Sequence, residues 1–540
     1  MAGPDDPARQ GGAAARPPSF LFVITDQQRA DSLGCTGHPV VRTPHLDAVA
    51  AGGVVFDRFY VASPVCMPNR ASLMTGRMPS LHGLRMNGLP LAHRNVTFVE
   101  LLRAAGYDTA LIGKSHLQNF TGLPPVAVPA AAEGRPPPPD LAQALREALD
   151  HPAYRVESAP PGDAPAEVPT PYYGFDHVAL ANGHGDALGG DYRRWLLERA
   201  PDADRLTGAG NQLPHDYACP QAVRTALPEE LYPTAWIADA AVAYLSDAAR
   251  RDRPFFLNVS FPDPHHPLNP PGRYWDMYAP GDMPVPAAFR TDAWTPPAHV
   301  QAILDDRAAG RANLQGMNAI GITAREAQEA RALTCGMVSM IDAAVGRILS
   351  ALDAAGLADT TVVVFTSDHG DHLGDHRMLF KGAEAYDEVI RVPFLWRDPA
   401  EERPGRRIDA LASTLDISAT ILDRAGLAPY AGMQGRSLLP ALRGGAPARD
   451  AVLIHYDHQR PHPGTNMPPR VHTLVDRRWR LSLIDGIATG ALYDLETDPE
   501  EFVNLWDSSA HAGERARMTE RLARAEIAAV DRVPLPTGLA

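Results

Sequence analysis

Cysteine is scarce: Cys35, Cys66, Cys219 and Cys335 are the only four in 540 residues, and they stand far apart. That spacing excludes a disulfide framework, and no C-x-x-C pair offers a zinc ribbon. Positive charge is also short. Fifty Lys and Arg against 64 Asp and Glu leave a net −14, which argues against nucleic acid or an anionic membrane as partner. An anionic ligand would need a local cluster of Lys, Arg, His or metal to reverse that field. No stretch reaches about 18 uninterrupted apolar residues, the length that spans a bilayer. The first 18 residues lack the apolar centre of a signal peptide. The expectation is a soluble, cytoplasmic chain with a disordered tail over residues 1–18 and no membrane span.

What is present is ordinary globular composition, 45% hydrophobic and 21% charged. At roughly 150 residues per domain the length allows three or four, although α/β domains with large sheets run bigger. A continuous apolar run over residues 20–25, and largely apolar stretches over 108–112, 254–261 and 361–366, read as buried strands. Ligands in open α/β sheets bind beyond the carboxyl ends of strands, so the residues that follow each run are candidates. They are Asp26-Gln27, Lys114-Ser115-His116, His265-His266 and Asp368-His369. An Asp after a strand is more often a helix N-cap, and a Lys and a His two apart carry little weight alone. Two histidines in a proline-locked loop, and a run of Asp and His after residue 367, are harder to explain as packing.

Helices are expected over 44–51, capped by Thr43, and over 98–105, 234–249 and 324–355. Residues 123–171, rich in Pro, Ala and Glu, read as a partly disordered insertion around one helix at 140–149. After Leu427 short strands follow at 451–455, 470–474, 479–484 and 491–494, with a helix at 518–529. That pattern predicts an antiparallel sheet packed with one helix.

The stretch from Val61 to Asn87 organises the rest. Pro68 and Gly76 bracket a short helix that puts Cys66 at its N-terminus, with Arg70 one turn on. A thiol facing free N–H groups there should be acidified, although a lone cysteine is commonly just buried structure. A cysteine-phosphatase loop fails, because the sixth position after Cys66 is Ser72 rather than arginine.

C-M-P-N-R followed by A-S-L-M-T-G-R instead resembles the signature of the type I sulfatases, in the alkaline phosphatase superfamily. T-P-H-L-D at 43–47, G-K-S-H at 113–116, P-H-H-P at 264–267 and S-D-H-G-D at 367–371 are similar to that family too. So are L-F-K-G-A around Lys381, M-Q-G-R-S-L at 433–438 and L-Y-D-L-E-T-D-P-E-E-F-V-N-L from Leu492. The likeness runs from Phe20 to Leu505.

The resemblance implies an α/β fold: a large mixed, mostly parallel sheet sandwiched by helices, with a smaller C-terminal α+β domain carrying an antiparallel sheet. It divides the chain into a catalytic region over 19–430 and a C-terminal subdomain over 431–540. It also implies that a formylglycine-generating enzyme converts Cys66 to formylglycine, whose hydrate attacks a small anionic ester. Asp26, Gln27, Asp368, His369 and the modified Cys66 would hold one divalent cation, Ca²⁺ first, with Mn²⁺ or Mg²⁺ as alternatives. Arg70 would orient the nucleophile, and Lys114 and Lys381 would hold the anion. His265 would protonate the leaving alcohol, and His116 or Asp368 would take a proton in the second step. Asn87 would touch the substrate, and loops carrying His184, Asp191 and Tyr192 would set specificity.

Gln27 and His369 depart from the sulfatase pattern toward phosphonate monoester hydrolases, whereas Lys114 and His116 follow the sulfatases. The expected activity is hydrolysis of a sulfate ester. The alternatives are a phosphonate monoester or phosphodiester hydrolase and, remotely, a non-catalytic metal- or anion-binding homologue.

Overall fold

The computed structural model describes residues 17–121, 123, 138, 143–145, 147, 149–158, 168–247, 253–289, 294–311, 319–382, 384–460 and 468–538. Eight strands form the main sheet: β1 (Ser19–Thr25), β2 (Val54–Tyr60), β3 (Asp108–Gly113), β4 (His177–Leu180), β5 (Phe255–Ser260), β7 (Thr361–Ser367), β9 (Phe394–Arg397) and β10 (Arg406–Ser413). Their spatial order is β10-β2-β9-β7-β1-β5-β3-β4. All neighbours run parallel except β9, which is antiparallel to both β7 and β2. The two-residue strands β6 (Ala319–Ile320) and β8 (Met378–Leu379) pair separately. The expected mixed, mostly parallel sheet is therefore present, and the four strands read from sequence stand side by side at its centre.

Every residue of β1 is buried, because both faces are covered, which is why it reads as an unbroken apolar run. Phe20, Phe22 and Ile24 face a core shared with α2 (Cys66–Thr75), α4 (Phe98–Ala104) and α10 (Leu415–Arg424). Leu21 and Val23 face the opposite core, built with α1 (Pro44–Ala51), α6 (Pro233–Ser246) and α8 (Ala324–Ala354). By length and composition α8 could cross a bilayer, yet 83% of its most apolar window is buried inside the fold. Short helices α3 (Pro79–His82), α9 (Asp387–Ile390) and α11 (Leu439–Leu442), with α5 (Gly190–Arg199) and α7 (Ala298–Ala308), fill the connections.

The C-terminal sheet is antiparallel, in the order β11 (Val452–Asp457), β12 (Arg470–Val475), β13 (Trp479–Ile484), β14 (Ala491–Asp494). One face packs on α12 (Ala512–Ala529) through Leu474, Leu481, Leu492, Met518 and Leu522. Val452, Ile454 and Val471 join the main core instead.

One expectation needs correcting. Thr43 does not cap α1: its hydroxyl is engaged by Gly34 N at 2.8 Å and by Asp47 Oδ1 at 3.0 Å. The first α1 N–H groups, of His45 and Leu46, are taken by Asp342 of α8. Within the expected insertion, residues 149–158 are ordered, and Glu157 is buried against the sheet end. Of the helix expected at 140–149, residues 143–145, 147 and 149 are described and none is helical; its other residues, like residues 1–16 of the expected tail, lie outside the described residues.

Candidate active site

Four adjacent strand ends deliver the chemistry. β1 leads to Asp26 and Gln27, β7 to Asp368 and His369, β5 to His265, and β3 to Lys114. Gly113 makes the last turn: at φ +107°, a Cβ there would lie 1.9 Å from Ser260 O on β5. Only glycine lets β3 close on β5 while turning Lys114 inward. α2 enters from the helical layer with all ten residues buried. Gly76 ends it in the left-handed region at φ +59°, where a side chain would strike Ser418 and Met433.

Cys66, the first residue of α2, sits at the centre. Its Sγ lies 3.2 Å from His369 Nε2, 3.6 Å from Asp26 Oδ1 and 2.9 Å from Lys381 Nζ. Burial and the Asp26 carboxylate push the thiol up to about 11, which corrects the acidified thiol expected from the helix terminus. The helix dipole is outweighed because the sulfur is fully enclosed beside a carboxylate.

Lys381 Nζ also donates to His265 Nε2 at 2.8 Å, His369 Nε2 at 3.0 Å and Gln27 Oε1 at 3.3 Å. Lys114 Nζ bonds Asp26 Oδ2 and, at 2.8 Å, His184 Nε2. Arg70 Nε donates to Asp368 Oδ2 at 2.7 Å, and its Nη2 lies 3.7 Å from Asp26. Burial alone would raise Asp26, but Lys114, Lys381 and Arg70 hold it well below the usual carboxylate range. Three buried cations, Arg70, Lys114 and Lys381, cluster here in a chain of net −14.

The ligand atoms of Asp26, Cys66, Asp368 and His369 all lie within 4.8 Å of one another. His369 Nδ1 faces Gly370 O at 2.8 Å, so it must donate there, leaving the Nε2 lone pair turned inward. Gln27 is fixed similarly: its Nε2 donates to Asp371 Oδ2 at 2.6 Å, which aims Oε1 at the cluster. Lysine ammonium groups now satisfy Gln27 Oε1, His369 Nε2 and Asp26. Inward-facing oxygens and one imidazole, all satisfied by cations, fit a divalent ion.

Other predicted groups lie around this core. His265 Nδ1 donates to His266 O, leaving Nε2 as acceptor. Burial, His184 and Lys381 hold its pKa well below the usual value, so in this state it is a neutral acceptor rather than the expected proton donor. His266 turns to Gln27. His116, held neutral by burial and Lys114, lies tilted against Phe120 at 4.3 Å between ring centroids, with its Nδ1 unpartnered. Its backbone is in the left-handed region at φ +59°. Asn87 accepts from Met67 N at 3.0 Å and so caps the first turn of α2.

The Asp and His run after β7 divides. Asp371 orients Gln27, while His372 pairs with Glu388 and Asp375 with Arg29. Sequence reasoning gave His184 no partner. Its ring lies flat on His265, with centroids 3.6 Å apart, and it closes the pocket over Lys114. It also missed Glu157, which accepts the N–H groups of His116, Leu117 and Gln118. No local pattern marks either residue. Asp191 accepts from Leu180 N and the Tyr192 hydroxyl donates to Leu231 O, so both brace α5.

Residues 18–427 match the sulfatase family model, and residues 374–528 match that of the N-sulphoglucosamine sulphohydrolase C-terminal region. The chain belongs to the sulfatase family of sulfuric ester hydrolases, within the alkaline phosphatase superfamily. It is 28% identical to an arylsulfatase of Clostridium perfringens, over 92% of this chain and 91% of that protein. It is 28% identical to a multifunctional alkaline phosphatase superfamily protein of Trinickia caryophylli, over 92% of each. Among solved structures, the phosphonate monoester hydrolase of Agrobacterium radiobacter superposes with a TM-score of 0.74 at 27% identity, covering 97% of this chain and 98% of that one.

Proposed function

We propose that this protein hydrolyses a sulfate ester of a small alcohol, using residue 66 as formylglycine and one divalent cation. The observation that carries the reading is the setting of Cys66, the central side chain of a cationic pocket in a family of sulfatases. A thiol held at about 11 is protonated at neutral pH, so it is a poor nucleophile as it stands. Formylglycine at that position supplies a hydrated aldehyde as the oxygen nucleophile. Asp26, Gln27, Asp368 and His369 would hold the cation, which supplies charge neutralisation at the transferred group.

The chain's own residues do the remainder. Arg70, tied to Asp368 and to Ser260 Oγ at 2.8 Å, fixes the first turn of α2 and hence the nucleophile. Lys114 and Lys381, whose ammonium groups point into the pocket, would bind the oxygens of the anion. His265, protonated when a bound anion rather than Lys381 faces its Nε2, would give that proton to the leaving oxygen. His184, partly buried, lies flat against His265 and would limit water on that side.

A second reading, a phosphonate monoester or phosphodiester hydrolase, is favoured by Gln27 and His369 at the metal and by the structural neighbour. Steady-state kinetics on an aryl sulfate and the matching aryl phosphonate separate the two. The sulfate reading predicts the larger kcat/KM for the sulfate, and a clearly larger value for the phosphonate reverses the assignment.

A further inference from the structure

Outside this pocket the C-terminal sheet carries another group of ligand-bearing side chains. β11 and β12 pair antiparallel with His455 directly opposite His472. Cross-strand neighbours on one face have Cβ atoms about 5 Å apart, and these two rings lie flat on each other, 4.0 Å between centroids and 12° between planes. α12 crosses this face on Met518 and Leu522. Four residues further on, at the next position of the same stripe, stands Glu526 rather than an apolar residue. Its Oε1 meets His455 Nε2 at 3.0 Å and His472 Nδ1 at 2.8 Å. The three ligand atoms lie within 4.8 Å of one another.

We infer that His455, His472 and Glu526 form a second metal site, which takes a borderline divalent transition ion such as Zn²⁺. Two imidazole nitrogens and one carboxylate suit that class of ion, whereas the oxygen-rich cluster around Cys66 suits a harder one. The histidines stand on adjacent strands of one sheet, so two of the three ligands are placed before the ion arrives. Metal–ligand bonds of about 2.0–2.2 Å require the rings to tilt apart and Glu526 to retreat slightly. Glu526 has the room, being about a third exposed (32%) on the outer helix. With His472 34% exposed, the fourth position opens to water. The bound ion staples α12 to β11 and β12. Because His455 N also donates to Ala62 O, four residues before Cys66, the staple backs the segment that leads into α2.

The test is equilibrium dialysis of the chelator-stripped full chain against micromolar Zn²⁺, for wild type, His472→Gln and Glu526→Gln. Counting by difference cancels any ion at the catalytic cluster. The wild type should bind one Zn²⁺ more than either variant, and its Zn²⁺-dependent rise in melting temperature should be lost in both. Crystals of the wild type soaked in Zn²⁺ should give an anomalous peak between the three side chains. Equal stoichiometry in all three proteins, or no peak there, overturns the assignment. Should His472→Gln fail to fold, Glu526→Gln and the anomalous map each decide it alone.

Discussion

Lys381 is the residue on which the pocket turns, because its ammonium touches Cys66, His265, His369 and Gln27 at once. Removing it takes away a buried positive charge aimed where negative charge develops. Lys381→Ala should lower kcat/KM by about 10²–10³-fold, measured on whichever aryl ester turns over best, with the fold intact by circular dichroism. Asp371 acts one step back, by aiming the Gln27 amide. Asp371→Asn lets that amide turn over, and should raise the metal concentration for half-maximal activity about 10–100-fold, read by titrating metal into stripped enzyme. Much of this layer was legible in the sequence, since Asp, Gln, Lys and His at the ends of apolar runs must either pair or work. The roles of Asp371, His184 and Glu157 were not legible. Each is defined by a partner 15 or more positions away, and none falls in a repeating pattern.

At the scale of elements, the loop after β3 and the helix α2 decide how well the site is held. Glu157 collects three backbone N–H groups of residues 116–118 and the hydroxyl of Tyr172 at 2.5 Å. Burial pushes its carboxyl above the usual range. Glu157→Ala leaves those donors without an acceptor, at a cost of about 1–3 kcal/mol. It should lower the melting temperature and speed hydrogen exchange at residues 116–118. α2 is braced by His82, whose Nε2 meets Ser72 Oγ at 3.0 Å. Burial and Arg77 depress its pKa to about 3 from the ordinary 6.5. The unfolded chain therefore takes up a proton before the folded one does. This contribution to stability is complete above about pH 6.5 and is lost as the pH falls toward 3. Denaturant melts of wild type and His82→Gln should converge on acidification, the wild type losing more. The same scale shows why α2 and β1 were readable and others were not. β1 is covered on both faces and announces itself, whereas β10, R-R-I-D-A-L-A-S, is an edge strand half open to water and resembles a loop. β9 has only four residues, too few to show a period.

At the scale of the whole molecule, one buried pair joins the C-terminal sheet to the catalytic region. Arg480 of β13 bonds Glu501, both with 1% exposed side chains, and lies over the rings of Tyr386 and Tyr493. Glu501 also accepts Asp387 N at the start of α9, and the Tyr456 hydroxyl donates to Gly382 O beside Lys381. Glu501→Ala leaves a buried guanidinium uncompensated and should cost about 3–5 kcal/mol. Differential scanning calorimetry should show one lowered transition rather than early melting of the C-terminal part alone. The sequence showed that an antiparallel sheet and a helix close the chain. It could not show how β11 and β12 enter the main core, because that depends on which strand faces meet.

The central claim is that residue 66 becomes formylglycine, and peptide mass spectrometry tests it most directly. The full chain, expressed with a formylglycine-generating enzyme, should yield a peptide carrying the aldehyde or its hydrate at position 66, and activity should rise with the modified fraction. Unmodified cysteine throughout, from cells in which a control sulfatase is fully converted, would contradict the account.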